Sequence, residues 1–179
     1  MITHVYSDPH FGHANIIKYE QRPFDDVRQH DAALIELYNS VVHPEDTVLW
    51  LGDCFLMPYE LAYKNVMMRL NGHKILIPGN HDRSIRAMLM VGFAMVIPEA
   101  TIMVGDCKCR CHHYPYRSKL DEHNGKQAHG RPVRNAKGDI LLHGHTHGKL
   151  KRHDDMVHVG VDAWGFRPVS LRELTEHVR

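Results

Sequence analysis

Short continuous apolar runs alternate along this chain with stretches whose apolar residues recur every three to four positions. "ITHVYS" is a β-type run that stops at Asp8-Pro9, and "DTVLWLGD" and "HKILIPGN" are two more. The last two, with apolar runs bounded by Gly, Pro or Asp, suit strands covered on both faces. "DVRQHDAALIELYNSVV" sets Val27, Ala32, Ala33, Leu34, Leu37 and Val41 near helical spacing. "PYELAYKNVMMRL" predicts a helix with Pro58 in its first turn, where a missing N–H matters least. A short helix is expected at "RSIRAMLMV", and beyond it strands dominate: "ATIMVG", "CKCRCHH", "DILLHG" and "DMVHVGVD". The closing "SLRELTEHV" begins with Ser170 and Glu173, the spacing of a capping box.

Helices alternate with strands in the first half and strands prevail in the second. That order predicts an α/β fold in which two sheets pack together with helices outside. A length of 179 residues fits one domain, residues 1–179. Residues 117–137 have no clear period and carry six Lys/Arg against two acids. They read as a long loop, either solvated or close to an anionic substrate.

Length and composition narrow the picture further. Folding at this size buries roughly 70% of the unfolded surface, so no disulfide staple is needed. Three of the four cysteines stand in "CKCRC", where they would line one strand face as free thiols of a reducing compartment. The start has no basic, apolar leader and no stretch is long enough to span a membrane, so a cytoplasmic protein is expected. A net charge of +1 argues neither for nor against a polyanion, and the absence of interleaved aromatics speaks against a nucleic-acid-binding module. The 17 histidines are the departure that matters.

Those histidines gather, with acids, where apolar runs stop. "YSDPHFGH" offers Asp8, His10 and His13; "WLGDC" offers Asp53; "IPGNHD" offers Asn80, His81 and Asp82. "CRCHHYP" adds His112 and His113, and "LLHGHTHGKL" adds His143, His145 and His147. Ligands of α/β sheets bind at the carboxyl ends of strands, where side chains from several strands converge. Asp8 and His10, two apart, can grip one ion from extended backbone, and His145 and His147 repeat that spacing. Gly52 and Gly79, just before Asp53 and Asn80, leave room for close backbone approach. Carboxylate, imidazole and amide oxygen together suit Mn²⁺, Fe or Zn²⁺ better than Ca²⁺ or Mg²⁺.

The ordered set D-x-H, G-D, G-N-H-D, H-x-P and G-H-x-H resembles the calcineurin-like metallophosphoesterases, in particular small single-domain bacterial and phage members. The resemblance takes in "SDPHFGHANIIKY", "RPF", "DTVLWLGD", "HKILIPGNHD", "HYP", "LHGHTHG" and "VGVDAWGFRPVSL". It implies a four-layer α/β/β/α sandwich of two packed mixed sheets flanked by helices, with two divalent transition-metal ions at one rim. Manganese is the first choice, with iron, nickel or zinc as others. Asp8, His10 and His147 would hold one ion and Asn80, His113 and His145 the other, with Asp53 bridging. His113 is chosen over His112 because it stands two before Pro115, as the family's ligand does. His81 would contact phosphate and protonate the leaving group, oriented by Asp82. His143 is left over, as a scaffold residue.

The implied activity is hydrolysis of phosphodiesters, including 2′,3′-cyclic nucleotides or nucleic-acid ends, by a metal-activated hydroxide. The diester preference rests on the compact length, which leaves little room for a specificity cap. The alternative is a phosphomonoesterase acting on nucleotides or small phosphorylated metabolites; a non-catalytic scaffold would be expected to have lost ligands that are all present. Arg22 in "QRPF" is a candidate phosphate clamp, with Arg131 and Arg134 behind it, and His13 a candidate substrate contact. No membrane and no obligate protein partner is implied.

Overall fold

In the computed structural model, which describes residues 1–116, 131–134 and 139–179, the apolar runs become strands. They are β1 (His4–Tyr6), β2 (Thr47–Trp50), β3 (His73–Leu76), β4 (Met95–Val96), β5 (Ala100–Val104), β6 (Cys107–Cys111), β7 (Ile140–His143), β8 (Arg152–His153), β9 (Met156–His158) and β10 (Val169–Ser170). The described helices are α1 (Ala14–Tyr19), α2 (Val27–Asn39), α3 (Tyr59–Asn65), α4 (Ile85–Val91) and α5 (Leu171–Val178). The expected loop at 117–137 lies outside the described residues except for 131–134. Among the described residues no helix is long and apolar enough to cross a membrane.

Two mixed five-stranded sheets result, in the orders β10-β1-β2-β3-β4 and β5-β6-β7-β9-β8. Strands β1 to β4 pair in parallel and β10 antiparallel to β1. In the second sheet β6, β7 and β9 are parallel, with β5 and β8 antiparallel at the edges.

Side chains of successive strand residues leave on opposite faces, which decides where the core sits. On β2, Val48 and Trp50 join Tyr6, Leu34, Tyr38, Leu76 and Met88 in a cluster beneath the helices. Their neighbour Leu49, with Leu51 just past the strand, joins Val5, Ile77, Cys109, Leu142 and Val157 in a second cluster between the sheets. The first sheet is therefore buried on both faces, and this is why β2 reads as an unbroken apolar run over residues 48–51. Two mixed sheets flanked by helices give the α/β/β/α sandwich expected of a metallophosphoesterase-type fold. The cysteines are free, and Cys109 and Cys111 face the inter-sheet core.

Local signals hold these elements in register. Asp26 caps α2 by accepting the N–H groups of Arg28 and Gln29, both at 2.8 Å. Ser170 and Glu173 form the capping box of α5. Pro58 sits at the N-cap of α3, one position before its first turn. Helix α1 was not expected: it has six residues and no side-chain cap, so it leaves almost no periodic trace.

Parallel pairing aligns the carboxyl ends of β1, β2 and β3, and likewise those of β6, β7 and β9. A parallel bridge from Ser7 to Gly160 joins the end of β1 to the segment after β9. Both sheets thus present their chemically rich ends at one shared rim.

Candidate metal centre

Backbone hydrogen bonds lace the strand-end loops together. Asp8 N–H donates to Gly52 O and His10 N–H to Asp53 O, both at 3.1 Å, and Gly144 N–H donates to His113 O at 2.9 Å. Gly52 adopts φ +92, and a Cβ there would strike the backbone of Gly79, so the close approach of the β2 and β3 loops requires glycine. Several side chains at the rim sit on left-handed backbone: Asp8 (φ 58), His10 (φ 54), Asp53 (φ 55), His145 (φ 69) and His147 (φ 51). Such conformations cost about 1–3 kcal/mol each in non-glycine residues and concentrate at functional sites. Here they turn the chain sharply at a strand end and aim each side chain across the rim.

Two ligand groups result. Asp8, His10 and His147 bring one candidate ligand atom each within 4.8 Å of one another, and Asp53, His113 and His145 do the same. Asn80 Oδ1 lies 3.0 Å from His113 Nε2, on the second group. Asp53 stands between them: its Oδ2 is 3.6 Å from His10 Nε2 and 3.6 Å from His113 Nε2. Asp8, His10, Asp53 and His113 are all buried. Their sister His112 is turned away, its Nδ1 accepting the N–H of Tyr114 at 3.0 Å.

The donor set fits divalent metal ions, and the buried polar atoms say why. His10 Nε2 is buried with no hydrogen-bond partner, a costly state unless a cation takes the lone pair. Burial pushes the Asp8 carboxyl up to about 6, with Asp53 adding to the rise while His113 and His147 oppose it. Burial likewise holds His145 down to about 4, with His113 adding to it, and holds His10 far below the ordinary imidazole range. The reluctant Asp8 carboxyl beside the His10 and His145 imidazoles, kept neutral, makes a pocket short of positive charge, with lone pairs available. The far nitrogens are occupied as ligation requires. His113 Nδ1 lies 2.6 Å from Leu51 O and His147 Nδ1 2.9 Å from Asp162 Oδ2, so each ring leaves Nε2 for its group.

His81 stands at the mouth, 44% exposed, with Nε2 4.0 Å from Asp53 Oδ2 and its N–H donated to Asp53 Oδ1 at 2.9 Å. His13 lies beside His10, Nδ1 to Nδ1 3.4 Å, at the start of α1. His143 is not brought to the centre. Its Nδ1 bonds to Gly144 O at 2.8 Å, and its ring packs 5.4 Å from that of His158.

Two expectations are corrected. Arg22 is not a phosphate clamp: its side chain is fully buried and all five of its N–H groups are spent internally. They go to Asp162 (two), Asp8 O, Pro9 O and His30 Nε2, each at 2.9 Å. Asp82 does not orient His81. Its carboxylate accepts the N–H groups of Asp53 and Gly79 at 2.8 Å and of Cys54 at 3.0 Å. A side chain's charge was legible in both cases, its partner was not. Arg134 pairs with Asp155 at 2.7 Å. Asp162 was missed, although it too is an acid just past a strand, in "VHVGVDAWG". Tyr114 was missed as well; its ring lies 4.7 Å from that of His145 and 4.8 Å from that of His113.

No family model matches the chain. The gene 66 protein of Mycobacterium phage L5 is 34% identical over 195 residues, covering 96% of this chain and 91% of that protein. The gene 66 protein of Mycobacterium phage D29 is 30% identical over 178 residues, covering 88% and 86%. A solved structure of a protein of unknown function from Aquifex aeolicus has a TM-score of 0.75 at 22% identity, covering 99% of this chain and 100% of that one, and so shares the fold.

Proposed function

The chain belongs to the family of the gene 66 proteins of Mycobacterium phages L5 and D29, and we propose that it is a two-metal phosphodiesterase. One observation carries this: a single buried carboxylate oxygen, Asp53 Oδ2, lies 3.6 Å from an imidazole nitrogen of each ligand group. A lone structural ion has no use for a shared acceptor between two groups. Asp8, His10 and His147 would hold one ion, Asn80, His113 and His145 the other, and Asp53 both. The mixture of imidazole, carboxylate and amide oxygen suits Mn²⁺ first, then Fe, Ni or Zn. Two such ions, when bound, supply a water activated near neutral pH and charge to stabilise the phosphoryl oxygens.

The protein's own groups do the rest. The far-side hydrogen bonds of His113 and His147 hold their Nε2 lone pairs inward. His81 Nε2 is the group at the open side of Asp53 and would give its proton to the departing alkoxide oxygen. No side chain is needed as a nucleophile. Beside His81 opens a cleft of about 560 Å³ lined by Phe55, Leu56, Met57, Tyr59 and Arg83. Its walls join apolar and aromatic side chains to the Arg83 guanidinium and the Glu60 carboxylate, and its size favours a substrate with a substantial group on the leaving side, such as a cyclic nucleotide or a nucleic-acid end, over a bare monoester.

The test is hydrolysis of bis-p-nitrophenyl phosphate against p-nitrophenyl phosphate, by metal-stripped protein with Mn²⁺, Ni²⁺, Zn²⁺ or Mg²⁺ restored singly. Diester turnover that needs metal and disappears in Asp53→Asn supports the proposal. Turnover of the monoester alone replaces it with a phosphomonoesterase, and no turnover despite two bound ions leaves a non-catalytic metal protein.

A further inference from the structure

Arg22 and Asp162 are 140 residues apart in sequence and meet in a bidentate pair, with both contacts at 2.9 Å and both side chains buried. The same Asp162 Oδ2 is 2.9 Å from His147 Nδ1. We propose that Asp162, braced by Arg22, is the positioning residue of the Asp8–His10–His147 group. It fixes His147 in the tautomer that carries its proton on Nδ1 and turns Nε2 toward Asp8 and His10. This rests on the two-metal reading above.

The pair belongs to a longer chain of contacts with one consistent direction. Arg22 Nη1 donates to His30 Nε2, so the His30 proton sits on Nδ1 and is donated to Asp31 Oδ1 at 2.8 Å. The Asp31 carboxylate in turn accepts the N–H of Gly12 at 3.0 Å. Meanwhile Arg22 Nη2 and Nη1 hold the carbonyls of Asp8 and Pro9. One guanidinium therefore grips the backbone that carries Asp8 and His10 together with the carboxylate that orients His147. All three members of one ligand group are set against one another through it. Asp53 and His145 touch Asp8 and His10 directly, but neither they nor His113 bonds to Arg22 or Asp162; the far nitrogen of His113 is satisfied by Leu51 O instead. The effect of Asp162 should therefore fall on one ion of the two.

A buried ion pair that only tied two loops together would not be site-selective and would not depend on which His147 nitrogen bears hydrogen. Two readouts separate these roles. Mn²⁺ alone is titrated into metal-stripped wild type, Asp162→Asn and Asp162→Glu by calorimetry, with electron paramagnetic resonance to distinguish paired from single Mn²⁺. Imidazole ¹⁵N shifts are recorded on the metal-free proteins at pH 8. Wild type should bind two ions as a coupled pair, with His147 protonated at Nδ1. Asp162→Asn should keep one ion at near wild-type affinity and bind the other about 10- to 100-fold more weakly, giving a single-ion signal at one equivalent, with partial recovery in Asp162→Glu. Unchanged affinity for both ions in Asp162→Asn overturns the proposal, as does equal weakening of both. Should Asp162→Asn fail to fold, the wild-type spectrum decides, since a His147 proton on Nε2 is incompatible with the relay. Wild type that binds no Mn²⁺ removes the two-metal reading and the relay with it, whereas loss of selectivity alone removes only the relay.

Discussion

The Asp82 carboxylate holds Asp53 by its backbone rather than by its side chain: Asp82 Oδ2 accepts the Asp53 N–H at 2.8 Å. The same oxygen takes the N–H of Gly79, and Oδ1 takes that of Cys54. One anion thereby stitches the loop after β2 to the loop after β3. Asp82→Ala would leave these amides without their acceptor, and charge-assisted bonds of this kind contribute about 1.5–3 kcal/mol each. Because the three sites are only part-buried and water can reach some of the freed amides, a loss of at least about 3 kcal/mol, short of the full sum, is expected in urea unfolding of the metal-free protein, together with weaker Mn²⁺ binding. Had Asp82 worked through His81 instead, stability would hold and only leaving-group protonation would suffer. Wild-type unfolding of Asp82→Ala would therefore sink this account.

The rim after β7 has no space to spare. A Cβ on Gly144 would collide with Ser7 Oγ and Asp8 Oδ2. Asp8 cannot retreat, because both its carboxylate oxygens accept the His145 N–H at 3.0 Å. Gly144→Ala should then cost about 1–3 kcal/mol, as overpacking does, and shift the Asp8 carboxylate out of its group. Calorimetric titration with Mn²⁺ should show a weakened ion, and unaltered binding would contradict the crowding.

What the chain revealed of its site, and what it hid, follows from what each residue type encodes. Asp8, His10, Asp53, Asn80, His113, His145 and His147 were legible because acids and imidazoles seldom recur at every strand end for packing reasons alone. Their left-handed backbone was not legible, since Asp and His tolerate such φ values without demanding them. Arg22 and Asp82 could be read as charged, but neither the burial of Arg22 nor the partners of either could be. Their partners lie far off in sequence or on the main chain, and residue type is silent about both. Asp162 went unnoticed as a single acid within an apolar stretch, although the strand-end rule applied to it as to the others. The sheets were legible because the runs at residues 48–51 and 75–77, in and just past β2 and β3, are apolar on both faces; the two-residue β4, β8 and β10 carry too little pattern to be seen.

His81 faces solvent on one side and Asp53 Oδ2, 4.0 Å away, on the other. A proton donor in that place matters most when the leaving oxygen is a poor one. His81→Ala should lower kcat on a cyclic nucleotide by about 10²–10⁴-fold, the usual range for a general acid. On bis-p-nitrophenyl phosphate the loss should stay under about tenfold, because nitrophenolate departs without help. Paired steady-state measurements on the two substrates test this, and equal losses on both would assign His81 to binding instead.

Acid should destabilise this fold earlier than carboxylate titration alone would. Burial holds His158 down to about 4, with His147 adding to the drop and Asp162 opposing it, and burial holds His143 down to about 3. An imidazole whose folded pKa lies below its ordinary value of 6.5 is neutral in both states at pH 7.5 and adds no pH slope there. As pH falls below 6.5 the unfolded chain takes up the proton first, so stability is lost progressively until the folded pKa is reached. For His158 the window is 6.5 to about 4, and at about 1.4 kcal/mol per pH unit the loss approaches about 3 kcal/mol. His158→Leu removes that proton and two buried ring nitrogens that lack hydrogen-bond partners. At pH 7.5 the variant should unfold within about 1.5 kcal/mol of wild type, the range of a volume-conserving exchange. Between pH 6.5 and 4 the metal-free variant should lose about 3 kcal/mol less than metal-free wild type. Taking the difference cancels Asp8, whose raised pKa gives the opposite slope between about 6 and 3.8 in both proteins. Urea unfolding at half-unit pH steps supplies the curves, and parallel ones would mean that His158 is protonated as readily inside the fold as outside it.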